Sequence, residues 1–111
     1  MGVRHEATLS VPAGHPALPG HFPGAPVIPG VLLMELILQS TEAWLHRPLT
    51  VAGLRQVKFH APLLPEERAE LAVDLEGDTL AFRVARGKQL IARGMFLLGV
   101  PASPASAGSD S

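Results

Sequence analysis

A chain of 111 residues with 47% apolar and 17% charged side chains is one compact domain, long enough for a single core without disulfide or metal staples. Nine basic against ten acidic side chains give a net charge of −1, which lacks the basic excess of a nucleic-acid module. Zero cysteines exclude a disulfide scaffold, a zinc-thiolate site and thiol catalysis.

In chain order, Val3, His5, Ala7, Leu9 and Val11 alternate with Arg4, Glu6, Thr8 and Ser10 and read as a half-buried strand. Ten of the 22 glycines and prolines then fall between Pro12 and Gly30. Proline removes donors and glycine loosens the backbone, so this stretch is neither helix nor central strand. It also carries Leu18, Phe22, Val27 and Ile28, which predicts an ordered, partly buried loop of the functional kind. Gly30 to about His46 predicts a helix that Pro48 ends. It is apolar on nearly every face through two turns, so it should be surrounded by other structure.

Beyond the helix, Leu49 to Ala61 suggests a long strand. Ala69, Leu71, Val73 and Leu75 recur at period two, and so do Leu80, Phe82 and Val84 after a Gly77-Asp78 turn. Lys88 to Leu98 follows an Arg86-Gly87 turn and is apolar on both faces apart from Gln89 and Arg93. The order predicts an α+β domain over residues 1–100, an antiparallel sheet wrapped around one central helix. Residues 101–111 hold only Pro, Ala, Ser, Gly and one Asp and predict a disordered tail. The longest apolar run, Val31 to Leu38, is broken by Glu35 and is too short to span a bilayer. With no apolar signal segment at the N-terminus, a soluble cytoplasmic protein is the expectation.

Chemistry concentrates in Gly20-His21-Phe22-Pro23-Gly24-Ala25-Pro26-Val27-Ile28-Pro29-Gly30-Val31-Leu32-Leu33-Met34-Glu35, with Gln39 four residues on. His21 is pinned between glycines and prolines. Glu35 stands among apolar neighbours, where a carboxylate must be hydrogen-bonded, protonated or open to a cavity. Desolvation there would suit it to donate a proton near neutrality. Gln39 shares its face and could hold it. Gly30 starts the helix, so its free N–H can point at a developing negative charge. Taken singly, these residues are ordinary: a loop histidine is more often a structural hydrogen-bonder, and a lone helix glutamate may face a groove or a subunit. His15, His46 and His60 show no carboxylate or second histidine at metal-ligand spacing in the sequence, and no metal site is expected.

The run Gly20 to Gln39 as a whole resembles the active-site signature of the β-hydroxyacyl-acyl carrier protein dehydratases of the hot-dog fold. With His15-Pro-Ala-Leu-Pro-Gly-His21-Phe-Pro-Gly, it is most similar to the small dehydratases of aryl polyene and related lipid clusters. The resemblance covers about residues 3–98. The chain opens almost at its first strand, without the N-terminal helical segment usual in fatty-acid-cycle members, so a specialised member is expected.

That resemblance implies dehydration of (3R)-hydroxyacyl thioesters on an acyl carrier protein, with neither metal nor organic cofactor. His21 would take the α-proton, Glu35 would protonate the leaving hydroxyl, and the Gly30 N–H would polarise the thioester carbonyl. Phe22, Leu33, Ile37, Val57 and Phe59 would line an acyl tunnel. His and acid would come from opposite subunits of a homodimer or of a heterodimer with a related hot-dog subunit. Arg47, Arg55, Lys58 and Arg93 could meet the acidic carrier, although each also reads as solvated surface charge. The rivals are a thioesterase on the same fold, a non-catalytic partner subunit, and carrier binding without turnover.

Overall fold

The computed structural model describes residues 2–12, 14–15 and 27–99. The tail at 101–111 and the loop positions His21 and Phe22 lie outside the described residues. Among the described residues, five strands and one helix follow in the expected order: β1 (Val3–Leu9), α1 (Gly30–Leu45), β2 (Val51–Phe59), β3 (Ala69–Glu76), β4 (Thr79–Arg86) and β5 (Gln89–Leu98). They make one antiparallel sheet of order β1-β3-β4-β5-β2.

Period-two patterning sorts the strands cleanly. Leu71, Val73 and Leu75 of β3 pair with Val84, Phe82 and Leu80 of β4, and all six are buried against the helix side. Both joining turns place their glycine at φ 60°, at Gly77 and Gly87, where an L side chain would be strained. Predicted boundaries move by a few residues. The first strand stops at Leu9, and Val11 remains buried beyond it. Val3, assigned to the inner face by its phase, is 54% exposed at the sheet's edge.

The helix begins after Pro29 and ends at His46, which adopts the left-handed conformation and donates its N–H to the Glu42 carbonyl. The Glu42 carboxylate accepts the Leu49 N–H at 2.8 Å and so fixes the path into β2. Leu32, Leu33, Ile37 and Thr41 form the buried stripe of α1. Thr41 satisfies its hydroxyl by donating to the Ile37 carbonyl at 2.8 Å. At the helix's far end, His5 of β1 stacks on Trp44 with centroids 4.9 Å apart and rings 10° from parallel. His5 Nε2 also lies 3.4 Å from the Ser40 hydroxyl.

One expectation needs correcting. The helix is not surrounded: Val31, Glu35, Gln39 and Ala43, spaced four apart, face solvent, with Val31 74% exposed. The sheet of a single chain covers only one side of α1, so an apolar composition did not mean complete burial.

β2 carries an irregularity that shapes its neighbour. Between the pairs Arg55↔Met95 and Lys58↔Arg93, two β2 residues stand opposite Gly94 alone. Gln56 reaches φ 55° there, the conformation of a bulge. A Cβ at Gly94 would lie 2.8 Å from the Val57 Cα, so glycine is what lets the bulged backbone approach.

Candidate active site

An open pocket of about 450 Å³ lies at the N-terminal end of α1. Ile28, Gly30 and Leu33 line it from the helix side, with Phe59, Leu63 and Ile91 opposite. Hydrogen bonds hold these walls together. The Ile28 N–H donates to the Leu63 carbonyl at 2.8 Å, and the His60 N–H donates to the Ile91 carbonyl at 2.7 Å. Arg86 steadies the connection that carries Leu63: its guanidinium donates to the Pro62 carbonyl at 3.0 Å and pairs with Glu67 at 2.9 Å. The same Glu67 carboxylate oxygen accepts the Leu64 N–H at 2.8 Å.

Gly30 heads the helix, and Pro29 before it provides no side-chain cap. The first N–H groups of a helix have no acceptor within it, so a polarising end stands at the pocket wall. Close approach demands glycine at this point. A Cβ on Gly30 would sit 2.7 Å from Phe59 Cζ, so the Phe59 ring lies flush against the helix start. Phe59 is nonetheless 52% exposed, as one side of its ring remains open.

The sequence-derived residues divide in four groups. Gly30, Leu33 and Phe59 meet at the pocket. Glu35 and Gln39 lie on the solvent-facing stripe of α1, with no hydrogen bond between them, so this chain alone does not bury the Glu35 carboxylate. Ile37 is fully buried in the core and Val57 packs over Gly94, both away from the pocket wall. His21 and Phe22 lie outside the described residues. The residues that sequence reasoning passed over are Ile28, Leu63 and His60. Pro62-Leu63-Leu64-Pro65, a rigid apolar run directly after the Phe59 strand, was the available signal.

Among the described residues, a single helix laid on a five-stranded antiparallel sheet, with its glycine N-terminus at an apolar pocket, defines a hot-dog domain. Solved structures agree on the fold. The dehydratase heterocomplex ApeI:P from Xenorhabdus doucetiae superposes with a TM-score of 0.77 at 22% identity, over 87% of this chain and 88% of that one. A protein from Erwinia carotovora subsp. atroseptica gives 0.73 at 23% identity, over 88% and 84%. The sequence profile of the ApeI-like family, described as ApeI dehydratase, matches residues 2–95. The chain belongs to the ApeI-like dehydratase family. A curated relative, the 3-hydroxyacyl-[acyl-carrier-protein] dehydratase FabZ of Thermus thermophilus, is 36% identical over 93 residues. That match covers 77% of this chain and 63% of the relative; the FabZ of Mannheimia succiniciproducens is 32% identical over 78 residues, 63% and 52% of the two chains. The chain thus spans less than two thirds of the length of the curated relatives it matches. Among the described residues, no helix is long and apolar enough to cross a membrane.

Proposed function

We propose that the chain dehydrates 3-hydroxyacyl thioesters, presented on an acyl carrier protein in the cytoplasm, to trans-2-enoyl thioesters in fatty-acid-like or aryl polyene synthesis. The observation that carries this reading is the junction at Gly30. The signature run Gly20 to Gln39 feeds a helix whose uncapped N-terminus forms one wall of an apolar pocket. The reaction breaks an α C–H bond and a β C–O bond and needs a base, an acid and a stabiliser of enolate-like charge. His21 takes the α-proton and Glu35 protonates the departing hydroxyl, which leaves as water. The Gly30 N–H donates to the thioester oxygen while charge resides there; such a donor contributes about 3 kcal/mol of transition-state stabilisation. Leu33 and Phe59 contact the acyl chain near its thioester end.

The working unit is a pair of hot-dog subunits, this chain with itself or with a related one. Val27, Val31, Val51, Leu54 and Phe59 are exposed large apolar side chains, and all belong to α1, its approach or the edge strand β2. A second subunit on that side covers them, pairs the free edge of β2, and removes Glu35 from water. His21 of one subunit then acts with Glu35 of the other. The test is incubation with 3-hydroxyacyl-carrier protein followed by mass spectrometry of the acyl group. Loss of water supports the reading; release of the free carrier thiol would assign a thioesterase instead.

A further inference from the structure

The face of the sheet turned away from α1 is divided by charge. Register places Glu6, Ala72, Arg83, Arg93 and Lys58 in one cross-strand row. Arg83 therefore stands opposite Arg93, and Arg93 opposite Lys58, with Arg55 one row away and all four exposed. Like charges directly opposite destabilise a sheet. None of the four has an ion pair among the described residues, where the salt bridges are Arg4–Glu6 and Arg86–Glu67.

The other half of this face is acidic. Glu6 on β1 and Glu70, Asp74 and Glu76 on β3 are exposed, with Arg4 as the single cation beside them. Between the halves runs a strip of half-buried small or flexible residues, Ala72, Ala81, Ala85 and Met95. Side chains this small leave troughs. One of about 470 Å³ is bordered by Glu6, Thr8 and Glu70 and by Arg4 and Arg83, over Ala72 and Ala85. Another of about 240 Å³ is bordered by Arg83 and Arg93 over Ala81 and Gly94.

We propose that this outward face docks against the same face of a second copy of the chain. A two-fold interface uses one surface twice, so it must be complementary to itself. A two-fold axis lying in the interface along the seam between β3 and β4 exchanges the halves. It brings Glu6 opposite Arg93 of the second copy and Ala72 opposite its Arg83. An axis running across the strands would instead lay cations on cations, so the charges select the first. Side chains of two packed sheets interdigitate, and the alanine strip leaves room for the long side chains of the second copy. An acidic partner of another kind would use only the cationic half and leave the acidic half without a role. The inference does not rest on the dehydratase reading, and pairing at β2 leaves this face free.

The test uses the full chain and two charge-reversed variants, Arg83→Glu with Arg93→Glu, and Glu6→Arg with Glu70→Arg. Mass is measured by sedimentation equilibrium from about 0.01 M to about 1 M salt, over which the Debye length contracts about tenfold. Wild type should have twice the mass of either variant at low salt and approach the variants' mass as salt rises. An equimolar mixture of the two variants should recover the doubled mass, because each reversed half then meets its opposite. Equal masses for all three proteins at every salt would overturn the proposal, as would a mixture that fails to recover. The salt series on wild type alone decides the matter should a variant fold poorly. Binding of wild type to an acidic carrier protein without any self-association would also refute it.

Discussion

Alanine at Gly94 and alanine at Gly30 make the same steric intrusion, yet the structure expects opposite consequences. A Cβ at Gly94 would meet Val57 Cγ2 at 2.7 Å, Val57 Cα at 2.8 Å and Phe82 Cζ at 3.0 Å. Val57 sits in a bulge pinned by the Arg55↔Met95 and Lys58↔Arg93 pairs, and Phe82 is buried, so neither neighbour can yield freely. Overpacking of that kind costs about 1–3 kcal/mol, against a gain of about 0.5–1 kcal/mol from replacing a strand glycine. A net loss of about 1–2 kcal/mol lowers Tm by roughly 5–15 °C in a domain of this size. At Gly30 the intruded atoms are the far end of the half-exposed Phe59 ring, which can swing away. Alanine also gains up to about 1 kcal/mol of helix propensity, so Tm should stay within a few degrees. Turnover should nevertheless fall by about 10–100-fold, since the ring is pushed into the pocket mouth and the first N–H is shifted from its line. Thermal melts and dehydration assays on the two variants separate these outcomes. Val57→Ala should restore only part of the Gly94→Ala loss, because the clash with the bulged backbone itself persists; Phe59→Leu should restore turnover to Gly30→Ala. A Gly94→Ala protein that melts with wild type, or a Gly30→Ala protein with full turnover, would refute the packing argument at that site.

His21→Ala should lower dehydration by about two to four orders of magnitude with an unchanged melt, the usual worth of general acid–base catalysis; turnover near wild type would remove His21 from the reaction. Glu35→Gln keeps the shape and the exposed position and should fold normally while losing the proton donor, which steady-state kinetics would register as a fall in kcat. If the chain pairs with itself, co-refolding His21→Ala with Glu35→Gln should restore about a quarter of wild-type sites, since half the dimers are mixed and each has one intact site. No recovery in mixtures shown by native mass spectrometry to contain mixed dimers would place both residues in one chain. Ile37→Ala, at a fully buried position, should lose about 2–5 kcal/mol in urea unfolding, and a loss below about 1 kcal/mol would contradict its place in the core.

The strands were legible because burial on one side imposes period two, and Ala69 to Leu75 and Leu80 to Val84 have no competing pattern. The helix was legible too, from Gly30 to Pro48. Its open face was not. Val31 beside Leu32 and Leu33 reads as core, and only the sheet's limited reach shows which of the three lacks cover. The order β1-β3-β4-β5-β2 was equally hidden, since the pattern of hairpins does not say that β2 crosses to the far edge beside β5. The bulge left a trace in the lone Gly94 of an otherwise continuous strand, a signal of close backbone approach. For the candidate site, Gly30, Leu33 and Phe59 could be placed together by motif and phase. The Ile28 and Leu63 walls could not, because a backbone hydrogen bond between two proline-rich segments has no sequence period.

The His5–Trp44 stack gives the protein a built-in optical reporter. Trp44 is the one tryptophan in the chain, and at a rise of about 1.5 Å per residue it lies about 21 Å along the helix from Gly30. Its emission therefore senses whether β1 is docked on α1, while ligands at the pocket leave its surroundings untouched. Emission followed against urea would time the release of the first strand from the helix.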